Sequence, residues 1–143
     1  MSQNSKIMPV RANTILEEIF ATGHTIALFK SDPNTGVYTQ PTSCKSYKKY
    51  EIKNGDFRAN NGEITTTNHL LYGLATEEWA SEEEPILAFG VYNIMNTLLY
   101  WGMLTTPVPV PEDTVPVFKI YNEEKGEGIK VTLDVAATAA ASS

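Results

Sequence analysis

The chain has 143 residues, 42% of them hydrophobic and 20% charged, with a formal net charge of -6 at pH 7. That make-up fits one soluble globular domain, and its acidity argues against a nucleic-acid partner, because phosphate contacts need clustered Lys and Arg. No stretch reaches the roughly 18 apolar residues of a membrane span and no signal-peptide run opens the chain, so neither a membrane partner nor export is expected.

Residues 1–12 read as an extended N-terminal arm containing Pro9, Val10 and Arg11, without periodicity. Thr14 and Glu17 match a capping box, Ile15, Leu16, Ile19 and Phe20 supply an apolar stripe, and Gly23 closes this short helix. From His24 onward the signals are β. Ile26, Ala27, Leu28 and Phe29 are apolar on both faces, as a strand covered on both sides would be. The Ser31–Gly36 segment, with Pro33 and Gly36, is a turn. Val37–Tyr50 is polar and mixed, and the pairs Asn54-Gly55 and Asn61-Gly62 mark chain reversals. Glu63–Thr67 is half polar, as an exposed strand would be, whereas Pro85–Tyr92 reads as a central strand.

Leu98-Leu99-Tyr100-Trp101-Gly102-Met103-Leu104 is the most hydrophobic segment and carries no ionisable group. It reads as a second central strand that builds core and touches no partner itself, with Thr105-Thr106 and the prolines Pro107, Pro109 and Pro111 as its exit. Val115–Tyr121 is a strand whose Pro116 favours an edge position, and Ile129, Val131, Leu133 and Val135 alternate with polar residues as a strand with one wet face. An Ala/Ser-rich C-terminal tail, residues 136–143, has little to bury and is expected to need a neighbouring subunit to hold it. Short strands at about ten-residue spacing indicate an all-β fold, an antiparallel β-sandwich of jelly-roll or Greek-key type over residues 13–135, with one short N-terminal helix and extended termini.

Residues that could carry chemistry are sparse. His24 and His69 belong to no metal-spacing motif, and Cys44, the only cysteine, forms no internal disulfide and sits beside nothing that would activate a thiol. Glu77, Glu78, Glu82, Glu83 and Glu84 lack the alternation of a calcium loop, and Lys45, Lys48 and Lys49 form only a short basic cluster. Gly126-Glu127-Gly128 places a carboxylate where a phosphate would be repelled. These observations point to a protein that is not an enzyme and needs no cofactor or metal; a small hydrolase is the remote alternative. Tyr47, Tyr50 and Trp79, if exposed, would form a carbohydrate-stacking surface.

Taken in order, Ile64-Thr65-Thr66-Thr67-Asn68, Trp79, Gly90-Val91-Tyr92-Asn93, Leu98-Leu99-Tyr100-Trp101-Gly102, Leu104-Thr105-Thr106-Pro107, Glu112-Asp113-Thr114 and Ile129–Asp134 resemble a family of small tailed-phage virion proteins, described as head-decoration (cement) or tail-fibre proteins. The likeness spans residues 13–135 and is sharpest over 90–107. It departs in a longer, more acidic loop after Trp79 and in Asn122–Gly128, which replaces a shorter turn. The resemblance implies a structural protein on the capsid surface, made in the host cytoplasm, with no catalytic residues. Its partners would be the major capsid protein and further copies of itself, as a trimer or dimer. Pro9, Val10, Arg11, Pro107, Pro109, Pro111, Ala139 and Ala140 are the candidate contacts, because pre-extended proline segments lose little entropy on docking. A tail-fibre or baseplate component that binds a host-surface glycan is the alternative.

Overall fold

The structure is a computed structural model and describes residues 9–122 and 129–137. Among the described residues one α-helix, α1 (Pro9–Ile19), precedes nine strands, with a 3-10 turn at Pro33–Thr35 after the first: β1 (Thr25–Phe29), β2 (Tyr50–Glu51), β3 (Phe57–Asn60), β4 (Glu63–Thr66), β5 (Leu70–Leu71), β6 (Ile86–Tyr92), β7 (Leu98–Val108), β8 (Thr114–Asn122) and β9 (Ile129–Ala137). They form three antiparallel sheets, ordered β2-β1-β6-β7, β3-β4 and β5-β8-β9.

The mainly-β expectation holds, and the helix differs in where it starts. Pro9, Val10 and Arg11 form its first turn and are not part of an extended arm. The physical reason is Pro9: its fixed φ suits the first helical position, where the missing N–H leaves no bond unmade. Thr14 therefore lies inside the helix. Residues 1–8 and 138–143, including Ala139 and Ala140, and the 123–128 loop lie outside the described residues.

The strands of the four-stranded sheet alternate between two apolar environments. Ile26, Leu28, Ile86, Phe89 and Val91 face the principal core, where they meet Leu70, Tyr72, Trp79, Phe118, Ile120 and Leu133. Ala27, Phe29 and Ala88 face the other way, into a smaller cluster edged by Leu87, Tyr92, Leu98 and Trp101. This double burial is what the unbroken apolar runs of β1 and β6 specify. Two glycines let the aromatic rings close in. The Phe29 ring occupies the space a Cβ of Gly90 would need, and the Phe89 ring lies 2.7 Å from where a Cβ of Gly102 would sit. Gly102 thus lies within β7, paired with Phe89.

β7 is not central. It is an end strand of its sheet, lies near β9 of the three-stranded sheet, and keeps Leu99, Tyr100 and Met103 partly exposed. Tyr92 pairs with Leu98 while Val91 pairs with Tyr100, so a bulge at Leu99 turns that side chain outward. Pro116, expected on an edge, lies instead in β8, the middle strand of its sheet, opposite Val135 of β9. Its carbonyl accepts from Tyr72 N–H at 2.9 Å, so the position lacking an N–H faces the β5 side, where the paired strand has already ended.

The Asn61-Gly62 turn joins β3 to β4 as read from the sequence, with φ of 54° and 77°. At Asn54-Gly55, Asp56 N–H donates to Lys53 O at 3.1 Å, and Gly55 takes φ 88°.

Candidate interaction surface

Two of the largest apolar exposures fall on adjacent residues. Ile94 and Met95, at the tip of the β6–β7 hairpin, are 80% and 78% exposed. Their backbone is held in place by Asn93. Its N–H donates to Thr97 O at 3.0 Å, its carbonyl accepts from Asn96 N–H at 2.9 Å, and its side-chain Oδ1 accepts from the N–H groups of Met95 and Thr97, both at 2.9 Å. Asn96 takes the left-handed conformation with φ 64°, which Asn tolerates better than most residues. Lys49 braces the tip from the side: its Nζ donates to Asn96 Oδ1 at 2.5 Å and lies 4.3 Å from the centre of the Tyr92 ring. Partial burial lowers the pKa of the Lys49 ammonium.

Below the tip, Leu99, Tyr100 and Met103 of β7 are each partly exposed, with Tyr100 and Met103 on opposite faces of the strand. A rigid loop presenting apolar side chains to water has the chemistry of a docking element: it offers hydrophobic area and little ordering entropy to lose. The partner contacts expected from the sequence, Pro107, Pro109 and Pro111 among them, follow this segment. Nothing in the apolar run Leu98–Leu104 distinguishes a buried face from an exposed one, and the tip lies just before it.

The three aromatics read as a carbohydrate surface are not one. Trp79 is 1% exposed and Tyr47 9%. Their rings meet edge to face at 5.2 Å, and Trp79 also meets Tyr72 edge to face at 6.4 Å, inside the principal core. The indole Nε1–H donates to Ser46 Oγ at 2.8 Å. Tyr47 OH donates to Gln40 Oε1 at 2.6 Å and accepts from Leu28 N–H at 3.1 Å. Tyr50 is half-buried, with its OH donating to Asp56 Oδ2 at 2.6 Å. All of these groups are spent inside the fold, and burial is the main cause that raises the pKa of Tyr47, Tyr50 and Tyr72.

The acidic loop has a similar explanation in part. Glu77 accepts hydrogen bonds from Ser46 Oγ at 2.5 Å, Ser46 N–H at 3.0 Å, Thr76 Oγ1 at 3.2 Å and Lys45 N–H at 3.3 Å, and the Ser46 bonds lower its pKa most. It clamps the loop before β2 to the loop that carries Trp79. Glu84 pairs with Lys30 at 3.7 Å. Among the described residues no group of three or more His, Cys, Asp or Glu side chains is placed to hold a metal ion. His24 Nδ1 lies 2.8 Å from Ile19 O at the end of α1, and the Cys44 thiol donates to Glu78 O at 3.3 Å.

The prolines shape the passage between sheets. Pro107 is exposed near the end of β7, while Pro109 and Pro111 bracket the buried Val110. Val110 N–H donates to Ala80 O at 2.9 Å and its carbonyl accepts from Trp79 N–H at 3.0 Å. Thr114 Oγ1 donates to Pro111 O at 2.6 Å. Pro107 and Pro111 remain on the surface, and Arg11 is exposed on α1.

Comparison of the chain with protein-family models, with curated proteins and with solved structures gives no match. The likeness to phage virion proteins therefore rests on the sequence motifs quoted above.

Proposed function

We propose that this is a structural assembly protein, a tailed-phage capsid decoration protein that associates with copies of itself and clamps neighbouring major capsid subunits. The observation that carries the proposal is the Ile94–Met95 pair, two large apolar side chains held in water by a hydrogen-bonded hairpin. Burying each at a contact is worth about 1.5–3 kcal/mol, a modest gain per copy that a lattice repeats many times. A protein that binds only the assembled shell stabilises that shell by mass action. We read the four-stranded and three-stranded sheets, facing each other across one core, as the two layers of a jelly-roll-like sandwich. The exposed Pro107 and Pro111 flank this surface as secondary contacts.

The test is location. Virions carrying the tagged protein are imaged by electron microscopy with a label against the tag. Label over the capsid lattice is expected. Label confined to the tail overturns the decoration role in favour of a tail-fibre or baseplate component, and unlabelled particles overturn both.

A further inference from the structure

We propose that the outer face of the β3–β4 hairpin binds an uncharged carbohydrate ring. A pocket of about 240 Å³ lies there, lined by Arg58, Asn60, Asn61, Glu63 and Thr65. Register explains why these residues converge. Arg58 pairs with Thr65 and Asn60 with Glu63, so all four side chains project from the same face of the two-stranded sheet, with Asn61 closing one end from the turn.

The site stands on a fixed base. The opposite face of the hairpin carries Ile64, which is buried in the principal core, and Phe57 and Ala59, which pack against it. The turn is held as well, because Gly62 N–H donates to Asn13 Oδ1 of α1 at 2.8 Å. Thr66, on the core side, ties β4 to β8: its Oγ1 donates to Ile120 O and accepts from Ile120 N–H, each at 3.2 Å.

The donor set suits hydroxyl groups. A guanidinium only donates, a carboxylate only accepts, and two carboxamides and a hydroxyl do both, which is the mixture that neighbouring sugar hydroxyls require. Among the described residues neither Arg58 nor Glu63 forms an ion pair, and both line the pocket. Their formal charges cancel. A phosphate or an acidic sugar would meet the Glu63 carboxylate on a chain of net charge -6, so the pocket favours a neutral ring. No aromatic ring lines the pocket, so one site binds weakly, and many copies on one particle would supply the avidity. The last point alone draws on the proposed assembly; the pocket itself does not depend on it.

The test is a two-dimensional NMR titration of the full chain with glucose, galactose, mannose and N-acetylglucosamine at millimolar concentrations, with inorganic phosphate as the anionic control. Saturable shifts of the Arg58, Asn60, Asn61, Glu63 and Thr65 amides by at least one sugar are expected. Glu63→Gln and Asn60→Ala should weaken that binding about tenfold or more. Their spectra elsewhere should stay unchanged, since both side chains are exposed. No sugar shifting these amides, phosphate shifting them in preference to every sugar, or sugar binding unaltered in both variants would each overturn the proposal. None of these outcomes bears on where the protein sits on a particle.

Discussion

Phe89 and Gly102 face each other across the β6–β7 pair, and the phenyl ring takes the space of a missing side chain: its Cε1 lies 2.7 Å and its Cζ 2.9 Å from where a Cβ at 102 would be. Phe89 is buried between Tyr100 and Phe118, with ring centres 6.0 and 5.0 Å away, so it has no free direction to move. Gly102→Ala is therefore expected to destabilise the protein by about 1–3 kcal/mol, the usual cost of overpacking. Adding Phe89→Leu should cost less than the sum of the two single changes, because the smaller side chain relieves the clash. Urea unfolding of the four proteins measures the coupling; strict additivity would show that the ring does yield.

A second expectation concerns Ser46, whose Oγ accepts from the Trp79 indole at 2.8 Å and from Thr76 N–H at 3.1 Å while donating to Glu77. Ser46→Ala leaves the indole N–H of an almost fully buried Trp unpaired, which costs about 1–3 kcal/mol. Thermal unfolding followed by tryptophan fluorescence reports it. A melting temperature equal to that of the unmodified protein would mean that the indole finds another acceptor.

Acid should loosen the same clamp. Hydrogen bonds from Ser46 hold the Glu77 pKa below its ordinary 4.5. A carboxyl whose pKa is lower folded than unfolded adds stability that is fully present above the unfolded value and is lost as pH falls through the folded one. The urea midpoint should therefore fall on acidification below about pH 4.5, and Glu77→Gln should flatten that part of the curve. Equal slopes for the two proteins would remove Glu77 from the account.

Alkali works through the tyrosines. Burial keeps Tyr47, Tyr50 and Tyr72 protonated above the ordinary 10.0. A phenol with a raised folded pKa contributes stability that is complete below the unfolded value and declines as pH rises above it. Phenolate absorbance from these three should appear together with cooperative unfolding above pH 10.0. Their smooth titration in a chain that stays folded would contradict the burial of these three rings and the bond by which Tyr72 OH donates to Ile26 O at 3.0 Å.

Much of the fold is legible in local chemistry. β1 and β6 are apolar on both faces and are covered on both faces, and Asn61-Gly62 makes the turn that its tolerance of positive φ allows. What resists reading is long-range placement. Leu98–Leu104 has the composition of a central strand yet forms the end strand of its sheet, because sheet order depends on which distant segments pair and not on the run itself. Trp79 sits among glutamates, so its neighbours in sequence suggest exposure, while Ser46 and Tyr47, over thirty positions earlier, enclose it. The exposed Ile94 and Met95 carried no signal either: two apolar residues between strands look like the continuation of a core. The one available hint was Asn93 and Asn96 on either side, residues that suit a tight, self-bonded turn.

Whether this hairpin tip is an assembly contact is decided by multi-angle light scattering across a concentration series, comparing the unmodified chain with Ile94→Ser/Met95→Ser. Both side chains project into solvent, so the substitutions should leave folding stability within about 0.5 kcal/mol. The predicted result is an average mass that rises with concentration for the unmodified protein and stays at the monomer value for the variant. Coincident mass curves for the two proteins would show that Ile94 and Met95 are not the contact.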